Sequence, residues 1–146
     1  MTDVDKAVEF FKNGCACSQA MLGAYGPRFG LEESLAVRVA AGFAGGMRLA
    51  ETCGAVTGGI MVLGLACCTD SCRTGEERAG AYAAVTEFTR RFREAHGSLL
   101  CRELLGCDIS TEEGHKAAQE KDLFRTRCPE LVRDAARLVE ATAQLQ

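Results

Sequence analysis

Nine cysteines spread through 146 residues are the feature of this sequence with the most chemistry in it. A cysteine becomes a nucleophile or a metal ligand only as its thiolate, so the ones that matter are those whose surroundings stabilise the anion. They fall into neighbourhoods: Cys15 and Cys17, then Cys53, then Cys67, Cys68 and Cys72, then Cys101 and Cys107, and finally Cys128. Cys53, Cys101 and Cys128 each stand in the first turn of an expected helix. There, unpaired backbone N–H groups and the positive end of the helix dipole favour thiolate over thiol. Next to Cys53, Gly54 and Gly58 lie one helical turn apart and leave room for a second backbone or a bulky cofactor. Close helix packing alone explains those glycines equally well.

Several functions are excluded by what surrounds the cysteines. A chain of this length buries a core without needing disulfides or metals as staples, and an odd number of cysteines cannot all pair internally. Near the N-terminus Asp3 and Asp5 stand where an export leader carries basic residues, so the expected compartment is the cytoplasm. Thiols in that compartment read as metal-binding or redox-active groups. The formal net charge of −3 gives no basic footprint for nucleic acid or an anionic membrane. The run from Thr52 to Thr69 has no charged residue, yet Gly54, Gly58, Gly59 and Gly64 dilute its hydrophobicity, so no membrane span is expected. No Cys-x-x-Cys motif, haem-attachment motif or strand-borne phosphate loop occurs. His96 and His115 read as surface or helix-end residues, and Arg90-Arg91-Phe92-Arg93 as a solvated helix face.

The elements that position these thiols read as helices almost throughout. Proline is nearly absent and Ala, Leu, Glu and Arg dominate, which predicts an all-α, single-domain helical bundle over residues 1–146. Helices are expected over Asp3–Ala24 (N-cap Asp3), Glu32–Ala44, Thr52–Ala66, Glu76–Ala95, Ser98–Leu105, Ser110–Lys121 and from Cys128 onward, where Pro129 takes the first helical position. The third is apolar all round and rich in glycine. It is therefore predicted to be a buried central helix enclosed by the longer ones.

The segment Cys53-Gly54-Ala55-Val56-Thr57-Gly58 is a Cys-Gly-Ala-x-x-Gly motif, and its flanks carry further matches: Cys17 before Ser18-Gln19-Ala20, Cys101-Arg102-Glu103-Leu104-Leu105-Gly106, and Cys128-Pro129. In order, flanks and length the chain resembles the C_GCAxxG_C_C family of redox-active proteins. The resemblance implies that Cys17, Cys53, Cys101 and Cys128 converge on one centre, with Gly54 and Gly58 beside it. Four thiolates together repel one another unless a cation, protons or disulfides relieve them. One solution is an iron-sulfur cluster for electron transfer or redox sensing, working with a redox partner protein. A closed structural zinc site would use the same donors. The alternative needs no cofactor: Cys53 attacks a substrate disulfide and Cys17 resolves it. Cys15, Cys67, Cys68, Cys72 and Cys107 lie outside the pattern, and Cys67, Cys68 and Cys72 with Asp70 make an incomplete metal site. Small-residue helix faces also leave room for a homodimer.

Overall fold

A computed structural model describes residues 1–68 and 71–145 of the chain, so the expectations attached to Thr69 and Asp70 lie outside the described residues. The protein is all-α. Among the described residues there is no strand, only an isolated antiparallel bridge between Thr52 and Leu100, and no helix is long and apolar enough to cross a membrane.

The first expected helix is two. Helix α1 (Asp3–Lys12) is capped by Thr2, whose Oγ accepts from the Asp5 N–H while the Asp5 carboxylate accepts from the Thr2 N–H, so the cap lies one residue before Asp3. The chain turns at Gly14, where φ is +113°, and restarts as α2 (Cys17–Tyr25). Gln19 holds that restart by accepting from the Ala16 N–H at 2.9 Å. The break puts Cys17 in the first turn of a helix, while Cys15 lies in the connection.

Helix α3 (Glu33–Ala40) ends earlier than expected and passes through a 3-10 turn, Ala41–Phe43. Gly45, Gly46, Met47 and Arg48 then follow one another at φ between +60° and +65°. This is a turn of left-handed helix, which costs about 1–2 kcal/mol at each non-glycine residue. Gly46 is required there, because a Cβ would collide with the Glu51 backbone.

Helix α4 (Gly54–Cys67) is the buried centre and packs against α2, α5 (Gly75–His96) and α9 (Cys128–Ala143). Its apolar surface shows no preferred face, and its glycines set how closely the neighbours approach. A Cβ at Gly58 would meet Ser18 and Met21 of α2, and one at Gly59 would meet Phe88 of α5 and Val139 of α9. Phe88, Phe92, Tyr25, Leu63, Leu131 and Val139 complete the core. The short helices α6 (Cys101–Leu105), α7 (Glu112–Glu120) and α8 (Leu123–Thr126) cover one end of the bundle; α7 is capped by Thr111 and not Ser110, and α8 interrupts what reads as loop. Pro129 sits in the first turn of α9 with Arg127 at the cap, one residue earlier than expected.

Candidate functional site

Four short backbone devices bring four cysteines to that end of the bundle. The restart of the chain after Gly14 presents Cys17. Cys53 is the N-cap of α4, and its carbonyl accepts from the Thr57 N–H at 3.0 Å. Cys101 opens α6 beside it, because two extended stretches cross there: the Cys53 N–H donates to Leu99 O at 2.8 Å and the Cys101 N–H donates to Glu51 O at 2.6 Å. Cys128 opens α9. All four line one cavity of about 180 Å³.

The cavity walls are mostly apolar, with Phe11, Leu104, Leu105, Ile109, Phe124 and Leu131 around the sulfurs. The polar side chains on the lining are Arg48, delivered by the left-handed turn, and His115, whose ring packs at a tilt against Phe124 with centroids 5.2 Å apart. Gly54 also lines the cavity, and a Cβ there would meet the Cys17 Cβ at 3.1 Å. Gly58 has another task. It lets the α2 backbone at Ser18 lie against α4, and that contact sets how far Cys17 stands from Cys53.

The electrostatics divide the four thiols. A hydrogen bond with Cys128 raises the pKa of Cys17 well above the ordinary thiol value, and burial and the neighbouring Cys53, Cys128 and Cys101 add to the rise. The same contact lowers Cys128, which accepts from the Cys17 thiol and is helped by the positive charge of Arg127, against burial. Burial pushes Cys53 up to about 11, although the Ala55 and Val56 N–H groups at the start of α4 pull the other way. Cys101 is pushed up to about 12 by burial and by Cys53, Cys128 and Asp108. A helix start therefore does not by itself make a thiolate here: desolvation outweighs it at Cys53, and Cys128 is favoured mainly because Cys17 donates to it.

The remaining cysteines stand apart from the cavity lining. Cys107 is buried in the same apolar cluster as Cys101 and Cys128. Cys15 is half-buried, its pKa raised by burial and by Glu33. Cys67 ends α4 far from Cys53, and Cys68 is disulfide-bonded to Cys72. Among the described residues no group of three or more His, Cys, Asp or Glu side chains has the spacing that holds a single metal ion.

Sequence reasoning missed the basic groups. Arg127 precedes Cys128 and was legible only as a neighbour in the chain. His96 is the helix-end residue expected, the last of α5, but its side chain is only 6% exposed, beside Phe92 and Asp134. Arg90 and Arg91 do form a solvated face, paired with Glu87 and Glu94, while Phe92 between them is fully buried.

A family model described as "Putative redox-active protein (C_GCAxxG_C_C)" matches residues 15–142. No curated protein and no solved structure matches the chain.

Proposed function

The chain belongs to the C_GCAxxG_C_C family of redox-active proteins, and on that premise we propose that Cys17, Cys53, Cys101 and Cys128 form its redox centre by holding an iron-sulfur cluster. One observation carries this reading: four cysteines from four separate elements line a single, largely apolar cavity. The donor set fits, because four cysteine thiolates satisfy a two-iron or four-iron cluster. Three of the four thiols resist ionisation, and each gains from a nearby positive charge. A bound cluster would supply one-electron transfer. The chain's own residues exclude bulk water with Phe11, Leu104 and Leu131 and present Arg48 and His115 on the lining. Electrons would pass to or from a redox partner protein in the cytoplasm. A structural zinc ion draws less support, since it needs all four sulfurs within about 2.3 Å of one point and no such grouping occurs among the described residues.

A second reading rests on Cys17 and Cys128 lining the same cavity, with their mutual hydrogen bond raising the pKa of Cys17 and lowering that of Cys128. Such a pair would serve thiol–disulfide exchange, with Cys128 as the attacking thiol and Cys17 as the resolving one. Cys53, the nucleophile expected from its helix start, suits this role less, because burial keeps it protonated up to about 11. The experiment is iron, zinc and acid-labile sulfide analysis with an ultraviolet-visible spectrum on anaerobically purified protein. Iron and sulfide with broad visible absorption support the cluster. A colourless, metal-free protein with a reducible Cys17–Cys128 disulfide overturns it in favour of the second reading.

A further inference from the structure

Beside the cavity runs a line of polar groups that the Cys-Gly-Ala-x-x-Gly motif and its flanking segments do not account for. The guanidinium of Arg127 donates through Nε to Leu104 O at 3.5 Å, and one of its terminal nitrogens lies 3.4 Å from His96 Nδ1. A guanidinium carries donors only, so Nδ1 is the acceptor and the imidazole proton sits on Nε2. That nitrogen lies 3.0 Å from the Asp134 carboxylate, although off the line of a good hydrogen bond. Phe92 packs against the ring at 4.7 Å between centroids, tilted by 42°. The line therefore joins α9 through Asp134, the end of α5 through His96, the start of α9 through Arg127 and α6 through Leu104. Two of those elements, α6 and α9, open with Cys101 and Cys128.

We propose that Arg127 is a cation that raises the reduction potential of the four-cysteine cavity, in addition to Arg48 on its lining, and that His96, packed against Phe92, is the residue that positions it. This rests on the reading of the cavity as a redox centre. The sign holds for both versions of that reading. A reduced cluster carries one more negative charge than the oxidised one, and a reduced Cys17–Cys128 pair replaces a neutral disulfide with a thiol and a thiolate. A fixed positive charge beside either stabilises the reduced form and raises the potential. The same guanidinium holds Glu130 through its other terminal nitrogen at 3.2 Å, so without His96 its inward side keeps only the long bond to Leu104 O and the exposed Glu130 pairing draws it toward solvent. Its position, and not merely its presence, is what His96 supplies.

The test is the midpoint potential of the full-length protein and of four variants, each first shown by thermal melting to be folded. Arg127→Met is expected to weaken reduction about tenfold, which is about 59 mV for a one-electron couple or about 30 mV for a two-electron couple. His96→Leu is expected to reproduce several-fold of that loss. His96→Asn, whose side-chain oxygen can take the place of Nδ1 as acceptor for Arg127, is expected to restore the wild-type potential, and Arg127→Lys to lie between. Unmoved potentials in folded Arg127→Met and His96→Leu overturn the inference while leaving the redox centre standing. An Asn variant that behaves like the Leu variant overturns the positioning role of His96. A wild-type protein with no redox transition at all overturns both this inference and the reading beneath it.

Discussion

Replacing Gly58 by alanine tests whether the spacing of α2 and α4 is set by the absence of a single side chain. The added Cβ would stand 2.7 Å from the Met21 Cβ, 2.9 Å from Ser18 O and 3.1 Å from Ser18 Cα. Two of those atoms are backbone, so no rotamer change clears them and the two helices must separate. Overpacking of this kind costs about 3 kcal/mol. Removing glycine from a helix interior returns about 1 kcal/mol. The net loss is about 2 kcal/mol, and at about 3 °C per kcal/mol for a chain of this size the melting temperature falls by about 6 °C. Gly64 lies on the same helix with nothing within 4 Å of its would-be Cβ. Its replacement by alanine should gain about 0.5–1 kcal/mol, a rise of about 2–3 °C. Circular dichroism at 222 nm during a thermal ramp reads both. Because Ser18 follows Cys17, the Gly58 variant should also disturb the cavity, whereas the Gly64 variant should not. If Gly58→Ala melts at or above the wild-type temperature, the close-approach argument is wrong.

Three further outcomes follow from local geometry. Gly46→Ala combines a left-handed φ of +65° with a clash against the Glu51 backbone, so it should cost about 3–4 kcal/mol and lower the melting temperature by about 10 °C; a loss under 1 kcal/mol by urea titration would contradict the described turn. Tyr25 is fully buried and donates to the Glu140 carboxylate at 2.6 Å. Tyr25→Phe strands that partner and should cost about 2 kcal/mol, read by the same melt, with no loss counting against the bond. The Arg90 and Arg91 guanidinium groups hold the Glu87 carboxyl down to about 2. Its contribution to stability is present above its ordinary value of 4.5 and is lost as the pH falls through about 2. Carboxyl carbon shifts should place the titration near 2 at low salt, and a midpoint at 4.5 would show the pairing absent in solution.

The helices were legible because their cause is local: composition, near-absence of proline and the apolar, glycine-rich stretch at Gly54–Cys67 predict an all-α chain with a central helix. What escaped was set by single backbone positions. The first helix has periodicity enough to run on, and Gly14 breaks it by adopting φ +113°, a choice that a glycine permits without announcing. The left-handed turn at Gly45–Arg48 is likewise invisible, since two of its four residues are ordinary L side chains held there by the surrounding fold. At the site, the family resemblance singled out Cys17, Cys53, Cys101 and Cys128, which line one cavity, but the thiol most favoured as an anion could not be read. A helix start recommends Cys53, Cys101 and Cys128 alike. The difference among them comes from burial and from Cys17, which are tertiary facts, and from Arg127, the chain neighbour of Cys128, whose charge also reaches Cys53. His96 looked like a helix-end residue because it is one, and only the packing of α9 against that end encloses it.

The central claim is that four particular cysteines make one centre and the other five do not. The most direct test is a panel of single Cys→Ser variants, purified anaerobically after expression with iron supplied, in which iron, sulfide and visible absorption per chain are compared with wild type. Loss or sharp reduction in each of the Cys17, Cys53, Cys101 and Cys128 variants, with Cys15, Cys67 and Cys107 variants retaining the wild-type content, is the predicted result. Equal content across the panel, or a loss that follows Cys107 and spares Cys101, would contradict it.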